Sequence, residues 1–418
     1  FNIIWVPEVI QSSRIIMVNA IDSFLLLKNY CEQEQFKGWD VSDGIESPIL
    51  CKTFLGKSAF CRFVFQQLTG HRLAFFNIRP LLFVPKLYNA KGIALFLNGY
   101  CNLYDLLDAG VEIDESVTKE VCFNKIHELA ELLISLRSKG INHYGWGYPI
   151  AWQGRTSFYF PSHTPTVVAS SFAVDALFHA FEVTKMERYK SIALDTAEFI
   201  LNDLHRTKCN SGFLFSYSPF PGNDKVFNAS LLGGRVLVQC YKYSDKKEYL
   251  EVAKECIDTC ANEQRADGSW VYGMDSFQNW IDNFHTGYNL EAIQEYQNVS
   301  QDMTYSDVLK KGIRFMLENH FDSNGVPKYY HHKQYPIDIH CCGEIFVVLY
   351  KLGVFKENEN LVDGVYLWTI ENMFDRKRGY FYFQKRSWIT NKTPLMRWSE
   401  AFMFNALSCY LKSKMDIR

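Results

Sequence analysis

Five times along the chain a glycine is followed within a few residues by aromatic side chains: Gly145-Trp146-Gly147-Tyr148, Gly212-Phe213-Leu214-Phe215, Gly268-Ser269-Trp270-Val271-Tyr272, Gly325-Val326-Pro327-Lys328-Tyr329-Tyr330 and Gly379-Tyr380-Phe381-Tyr382-Phe383. The glycines stand 54 to 67 residues apart. Each interval holds two segments with apolar residues at helical spacing, so the repeating unit is a helical hairpin with an aromatic loop. One such hairpin cannot bury its own apolar face, and a stack of them can.

The two segments of each unit differ in character. Glu120–Arg137, Arg188–His205, Lys247–Asn262, Tyr305–Asn319 and Asn360–Met373 are charged on one face, as helices beside water are. Val167–Val183, Ala229–Tyr243, Tyr288–Gln297, Ile339–Leu352 and Glu400–Leu411 have smaller side chains and fewer charges, as helices packed on both sides do. Lys52–Leu68 and Lys91–Leu107 read as one further outer and inner pair, which brings the count to six. Six hairpins close a ring and leave no end to cap, so the expected fold is all-α, an (α/α)6 toroid with an N-terminal helical extension. Residues 1–50 are expected to form an N-terminal helix and a wrapping segment, and 51–418 the toroid. The loops that lead into the inner helices open at one end of the ring, around a central depression. Thr164-Pro165 marks one entry, since threonine caps a helix and proline suits its first position.

Composition removes several function classes. Among 418 residues, 48% are hydrophobic and 16% aromatic, ordinary to high for a folded domain, and no run of about eighteen uncharged apolar residues suggests a membrane span. A net charge of −2 with both signs interspersed gives no field to gather nucleic acid. The twelve cysteines include no Cys-x-x-Cys pair and mostly lie in apolar helical stretches, which points to a reducing, cytoplasmic setting. Phe1 is not a natural start. The segment that follows carries Glu8, Arg14 and Asp22 through its apolar run and suits a packed helix better than a secretory signal. His340-Cys341-Cys342 and His331-His332 are the densest ligand-type clusters, but neighbours on a helix diverge by about 100°, so no metal site is expected. No glycine-rich phosphate loop precedes a helix, and no cofactor is expected.

The polar and aromatic residues at the loops and helix entries suit a sugar. Sugars offer flat C–H faces to indole and phenol rings, and hydroxyls to planar polar groups. Trp146, Tyr148, Trp152, Arg155, Trp270, Tyr272, Tyr330, Lys385, Arg386, Trp388 and Arg397 are the candidate substrate-binding residues. Asp282 and His285 share a helical face and can set a carboxylate against an imidazole, with Tyr288 one residue short of a further turn. Asp338 and His340 repeat the pattern one hairpin later. Two aspartates facing each other across the depression would serve as acid and base in glycoside hydrolysis. A histidine or tyrosine facing a uronic acid, with Arg155 or Arg397 beside the carboxylate, would instead serve epimerisation or elimination. A non-catalytic glycan-binding component of an assembly complex is the third reading. No Asp-x-Asp-Asp run supports terpenoid cyclisation.

Phe36-Lys37-Gly38-Trp39-Asp40, Asn77-Ile78-Arg79-Pro80, Gly145-Trp146-Gly147-Tyr148, Thr164-Pro165-Thr166 and Met396-Arg397-Trp398 together resemble a family of uncharacterised proteins encoded in bacterial surface-polysaccharide clusters. The resemblance spans nearly the whole chain. It implies a six-hairpin glycosidase-like toroid acting on a glycan or oligosaccharide, with assembly partners near a membrane. The Asp282-to-His285 and Arg397-Trp398 segments are similar to the helical domain of glucuronyl C5-epimerases. Members of the uncharacterised surface-polysaccharide family are sometimes labelled delta-aminolevulinic acid dehydratase, a (β/α)8 barrel whose alternating strands this chain lacks. The family's Arg-Trp-Gly-Gln run stands here as Arg397-Trp398-Ser399-Glu400, so no role tied to that last amide carries over.

Overall fold

The segments with small, weakly charged side chains on every face are the ones the fold buries on every side. The computed structural model describes residues 6–70, 76–154 and 159–417, with side chains from residue 15 onward. Helices run in the order α1 (Val6–Gln33), α2 (Pro48–Cys51), α3 (Ala59–Leu68), α4 (Ala90–Asp108), α5 (Lys119–Ser135), α6 (Val167–Thr184), α7 (Glu187–Asn202), α8 (Phe227–Ser244), α9 (Lys247–Asn262), α10 (Asn283–Ser300), α11 (Ser306–Asn319), α12 (Ile339–Leu352), α13 (Glu359–Met373) and α14 (Ala401–Lys414). Helices α4, α6, α8, α10, α12 and α14 each pack against the next, and α14 returns to α4, closing an inner ring of six. In α8 every residue from Phe227 to Cys240 is buried, whereas α11 buries only Leu309, Gly312, Phe315 and Met316, one stripe at helical spacing. Although α6 is long and apolar enough by composition to cross a membrane, it is one of the buried inner helices. The expected (α/α)6 toroid is the fold observed.

The identity of one outer helix differs from expectation. Lys52–Leu68 was to supply it, but α3 packs on neighbouring turns and a short strand, away from α4. The place is taken by α1. Its Phe24 ring lies 4.8 Å from Phe404 on α14, Ser23 Oγ is 3.5 Å from Tyr366 Oη on α13, and Tyr100 Oη on α4 donates to Glu32 at 2.6 Å. First and last helices thus pair to complete the sixth hairpin. Chain closure of this kind leaves no local pattern, because the partners are hundreds of residues apart.

Inner helices approach closely where glycine faces a neighbour. A Cβ on Gly99 would sit 2.3 Å from the Phe404 ring, and one on Gly287 would sit 2.2 Å from Glu344 Oε1. The turns out of α6, α8, α10 and α12 repeat one device: Lys185, Asp245, Gln301 and Gly353 end these helices in the left-handed region, with φ of 59°, 55°, 60° and 71°. Glycine at Gly353 meets that need without a Cβ clash. Gly353→Ala is therefore expected to cost about 1 kcal/mol, and Lys185→Gly to gain about 0.5 kcal/mol, both read from denaturant midpoints at unchanged slope.

Short antiparallel strands line the loop end: β1 (Trp152–Gln153) pairs with β2 (Tyr159–Phe160), β3 (Arg206–Cys209) with β4 (Gly212–Phe215), β5 (Ile337–Asp338) with β8, and β6 (Phe374–Asp375) with β7 (Tyr380–Phe381). Strand β8 (Gln384–Lys385) also pairs with β9 (Thr390–Asn391). The aromatic loops turn out to be partly structural. Trp146 is fully buried and its indole N–H donates to Leu133 O at 2.7 Å, and Trp270, 2% exposed, donates to Cys260 O at 2.8 Å. Both satisfy a carbonyl in the last turn of an outer helix, α5 and α9, at equivalent places in the repeat. This corrects the expectation that Trp146 and Trp270 stack on a sugar. Trp270→Ala is expected to cost about 3–5 kcal/mol in stability, chiefly from the cavity the indole leaves, since Cys260 O keeps the Glu263 N–H. Ligand affinity of the remaining folded protein should stay within a few-fold.

Candidate active site

Helix entries decide which side chains reach the depression. At α6 the cap is Thr166, whose Oγ1 accepts from Ala169 N at 3.1 Å, two residues past the Thr164 singled out from sequence. At α10 Asp282 is the cap, so this helix begins five residues before the expected Tyr288, and Oδ1 accepts from His285 N at 3.0 Å. At α12 Asp338 accepts from His340 N at 3.1 Å. The entry to α14 is a π-turn over Met396–Glu400, in which both Ser399 N and Glu400 N reach back to Leu395 O, at 2.7 and 3.3 Å. Such a widened turn changes the directions in which successive side chains leave the helix, and both Arg397 and Trp398 line one cleft.

That cleft, of about 500 Å³, is lined by Tyr148, Trp152, Phe160, Tyr217, Tyr272, Phe277, Trp280, Arg397 and Trp398, with Val41, Ser42, Ile150, Ala151, Asn223 and Gln278. No aspartate or glutamate is among these described residues. Tyr272 and Trp280 stack at 4.4 Å between ring centres and 16° between planes, forming a flat aromatic wall. Burial holds the Tyr148, Tyr217 and Tyr272 phenols above their ordinary range, so all three keep their protons; Tyr148 and Tyr217 hydrogen-bond to each other, which engages one proton of that pair and leaves the other for a ligand oxygen.

The Asp282–His285 pair forms as its spacing predicts. His285 Nδ1 lies 2.7 Å from Asp282 Oδ2, the same oxygen that accepts from Trp280 Nε1 at 2.9 Å. Asp282 is almost wholly buried while 22% of the His285 side chain is exposed, its ring edge-on to Tyr272 at 4.8 Å. A carboxylate on Nδ1 keeps the proton there and leaves Nε2 as the basic nitrogen, which has no hydrogen-bond partner among the described residues. This is an imidazole held in one tautomer against Tyr272, behind the aromatic wall rather than among the residues that line the cleft.

Asp338 and His340 do not repeat the arrangement. Asp338 is fully buried, takes the Trp398 indole N–H at 2.7 Å on Oδ1 and the Gln384 amide at 3.3 Å on Oδ2, and fixes the rings that form the cleft. His340 is 1% exposed, and its Nε2 meets Tyr288 Oη at 2.8 Å. Lys91 Nζ donates to the same phenol at 3.2 Å and lies 4.0 Å from the Phe172 ring centre. Burial, and then the Arg397 charge, pull the Lys91 pKa down to about 7. Asp282 and Asp338 as a facing acid and base pair is therefore corrected: both carboxylates are buried helix caps with their oxygens engaged. Tyr288 and His340 lie in the interior with Lys91.

Arg397 lines the cleft but its charge is already matched. Its Nε and Nη2 donate to Asp40 Oδ2 and Oδ1 at 2.9 and 2.6 Å, an ion pair in which both side chains are at least nine-tenths buried. The expected role of Arg397 in neutralising a substrate carboxylate is thus not supported. Arg155 lies outside the described residues. Of the other sequence candidates, Tyr148, Trp152 and Tyr272 line the cleft. Tyr330 pairs through its backbone with Asp282 and lies under Lys333, Lys385 Nζ donates to Asn372 at 3.0 Å, Arg386 Nε donates to Gln384 at 3.2 Å, and Trp388 is 71% exposed. None of these four is among the cleft-lining residues. Trp280, Trp398 and Asp40 were overlooked. A tryptophan two residues before a capping aspartate was the available sign for the first. The other two depend on the π-turn and on a contact across most of the chain.

Fold and cleft together define an (α/α)6 toroid with an aromatic cleft at the inner-helix entries. Its structural relatives include cellobiose 2-epimerase from Bacillus thermoamylovorans, with a TM-score of 0.60 at 13% identity over 79% of this chain and 88% of that one. A family 76 glycoside hydrolase, an α-mannanase from Bacteroides thetaiotaomicron, gives 0.57 at 12% identity over 78% and 86%, and a D-mannose isomerase 0.55 at 12% over 78% and 87%. No family model matches the chain, and no curated protein matches it at a significant level. Likeness at such identity establishes the shared fold.

Proposed function

We propose that this chain is a carbohydrate-active enzyme that moves a proton at the reducing end of a neutral sugar, as an epimerase or aldose–ketose isomerase does. The observation behind this reading is the His285 imidazole, oriented by Asp282 and left with a free Nε2, beside an aromatic cleft without a lining carboxylate among the described residues. Hydrolysis by two carboxylates has no such pair here to use. Uronate chemistry finds Arg397 already neutralised by Asp40. The names of the structural relatives, two of the three quoted being a sugar epimerase and a sugar isomerase, support the same class.

In this reading the ring-opened sugar stacks on Tyr272 and Trp280. His285 Nε2 takes the proton from the carbon beside the carbonyl, the C–H electrons form the carbon–carbon double bond of an enediolate, and the former carbonyl oxygen gains the charge. A phenol of the Tyr148 and Tyr217 pair donates a hydrogen bond to that oxygen. If the enediolate turns to show its other face before the proton returns from Nε2 to the same carbon, that carbon is inverted; if the proton returns to C1 while the C2 hydroxyl proton passes to the C1 oxygen, C2 becomes the carbonyl and the sugar is isomerised. Such a step would suit the supply or remodelling of sugars for a glycan, the role that the resemblance to surface-polysaccharide proteins suggests.

Incubation with mannose, glucose and cellobiose in deuterium oxide tests the reading. Deuterium at C2 of the epimer, or at C1 of the ketose, is the expected result. Release of new reducing ends from an oligosaccharide without deuterium at carbon would replace it with hydrolysis. Tight glycan binding with neither product would replace it with a non-catalytic role.

A further inference from the structure

From Ser47 to Tyr104 the sequence holds no aspartate or glutamate, while it holds Lys52, Lys57, Arg62, Arg72, Arg79, Lys86 and Lys91. Within this stretch lie several of the most exposed large apolar residues among those described: Phe54 80%, Phe60 74%, Phe76 70%, Leu81 77% and Phe83 69%. Single exposed apolar side chains are ordinary, but five so close in sequence mark an interaction surface. The turns beneath them are anchored. Arg79 is buried, bonds Asp43 at 2.8 Å, Asp40 O at 2.7 Å and Thr69 O at 2.9 Å, and Ser47 Oγ donates to Leu82 O at 2.5 Å. Thus the residues around Phe54 and those around Leu81 are tied to one another, and their outward rings have been left in water by a well-bonded frame.

We infer that this face docks on an anionic lipid bilayer. Phenylalanine and leucine at loop and helix tips enter the headgroup boundary, and flanking cations meet the lipid phosphates. Lys52 and Lys57 are exposed and have no acidic partner among the described residues. A second copy of the chain fits less well, because symmetric pairing sets these lysines against their own images. The surface adjoins the cleft: Arg62 Nε donates to Gln153 Oε1 at 2.7 Å and Gln66 Nε2 to Gln153 O at 3.1 Å, so α3 packs on β1 beside Trp152, which lines the cleft. Docking would hold the cleft mouth next to the membrane, within reach of a sugar tethered to lipid. The inference does not depend on which reaction the cleft performs.

Co-sedimentation of the full chain with vesicles tests it, comparing pure phosphatidylcholine with the same lipid plus phosphatidylglycerol. Binding to the anionic vesicles that weakens with salt is expected. The double variant Lys52→Glu, Lys57→Glu should bind at least about 30-fold more weakly, from two lost lysine–surface attractions. Phe54→Glu with Phe60→Glu should abolish binding, with circular dichroism and melting unchanged. No binding to either vesicle, equal binding to both, or a lysine variant that binds as well as the parent would each overturn the proposal. So would a dimer in light scattering that Phe54→Glu with Phe60→Glu dissolves, since a second copy would then own the face.

Discussion

His285→Ala is expected to lower turnover of a reducing sugar by about 10²–10⁴-fold, with KM within a few-fold of the parent, because the variant loses a proton acceptor and keeps the aromatic wall. Asp282→Asn is the sharper companion. Asparagine caps a helix as well as aspartate does, so the entry to α10 should stay intact, and the stability cost of about 1 kcal/mol comes from the Trp280 indole N–H, which loses its carboxylate acceptor. What it removes is the negative partner of Nδ1, so the imidazole is no longer held in the tautomer that leaves Nε2 basic. A large drop in kcat at nearly unchanged melting temperature is expected, measured as deuterium exchange at C2. Full exchange in both variants would rule out His285 as the base and send the search to the groups that line the cleft.

Asp40→Ala carries the second large effect, and it falls first on stability. Arg397 is 8% exposed and its guanidinium is matched by Asp40 alone among the described carboxylates. Removing that carboxylate leaves a buried cation unpaired, at a cost of about 3–5 kcal/mol in unfolding free energy. The double variant Asp40→Ala with Arg397→Met should recover most of the loss, since neither charge then remains. Specificity should move as well. With Arg397 unmatched in Asp40→Ala, glucuronate is expected to bind more tightly relative to glucose, whereas the parent favours the neutral sugar. If the parent itself prefers glucuronate by a wide margin, the assignment of a neutral substrate fails.

Much of the ring could be read before any coordinates. Outer segments such as Tyr305–Asn319 show one apolar stripe, and α11 buries that stripe. Inner segments such as Val167–Val183 lack a polar face, and α6 is buried nearly throughout. The pairing of Asp282 with His285 was also legible, since three residues on a helix bring two side chains together whatever surrounds them. Other site assignments failed for a shared reason. Trp146 and Trp270 looked like sugar-stacking residues by type, but their fate depended on a carbonyl at the end of an outer helix, which local sequence does not specify. Asp338 and His340 matched the productive pair in composition at a spacing of two rather than three, and that difference let the imidazole turn toward Tyr288.

By itself the sequence determined the repeating hairpin, its inner and outer faces and one oriented histidine, because these follow from periodicity and from neighbours within one helical turn. Tertiary structure alone decided that α1 closes the ring, that Arg397 is neutralised by Asp40, and that the π-turn before α14 brings Trp398 to the same wall as Trp280. Each of these joins residues far apart in the chain. Their contact energies exist only once the ring has closed, and no local pattern of side chains records them beforehand.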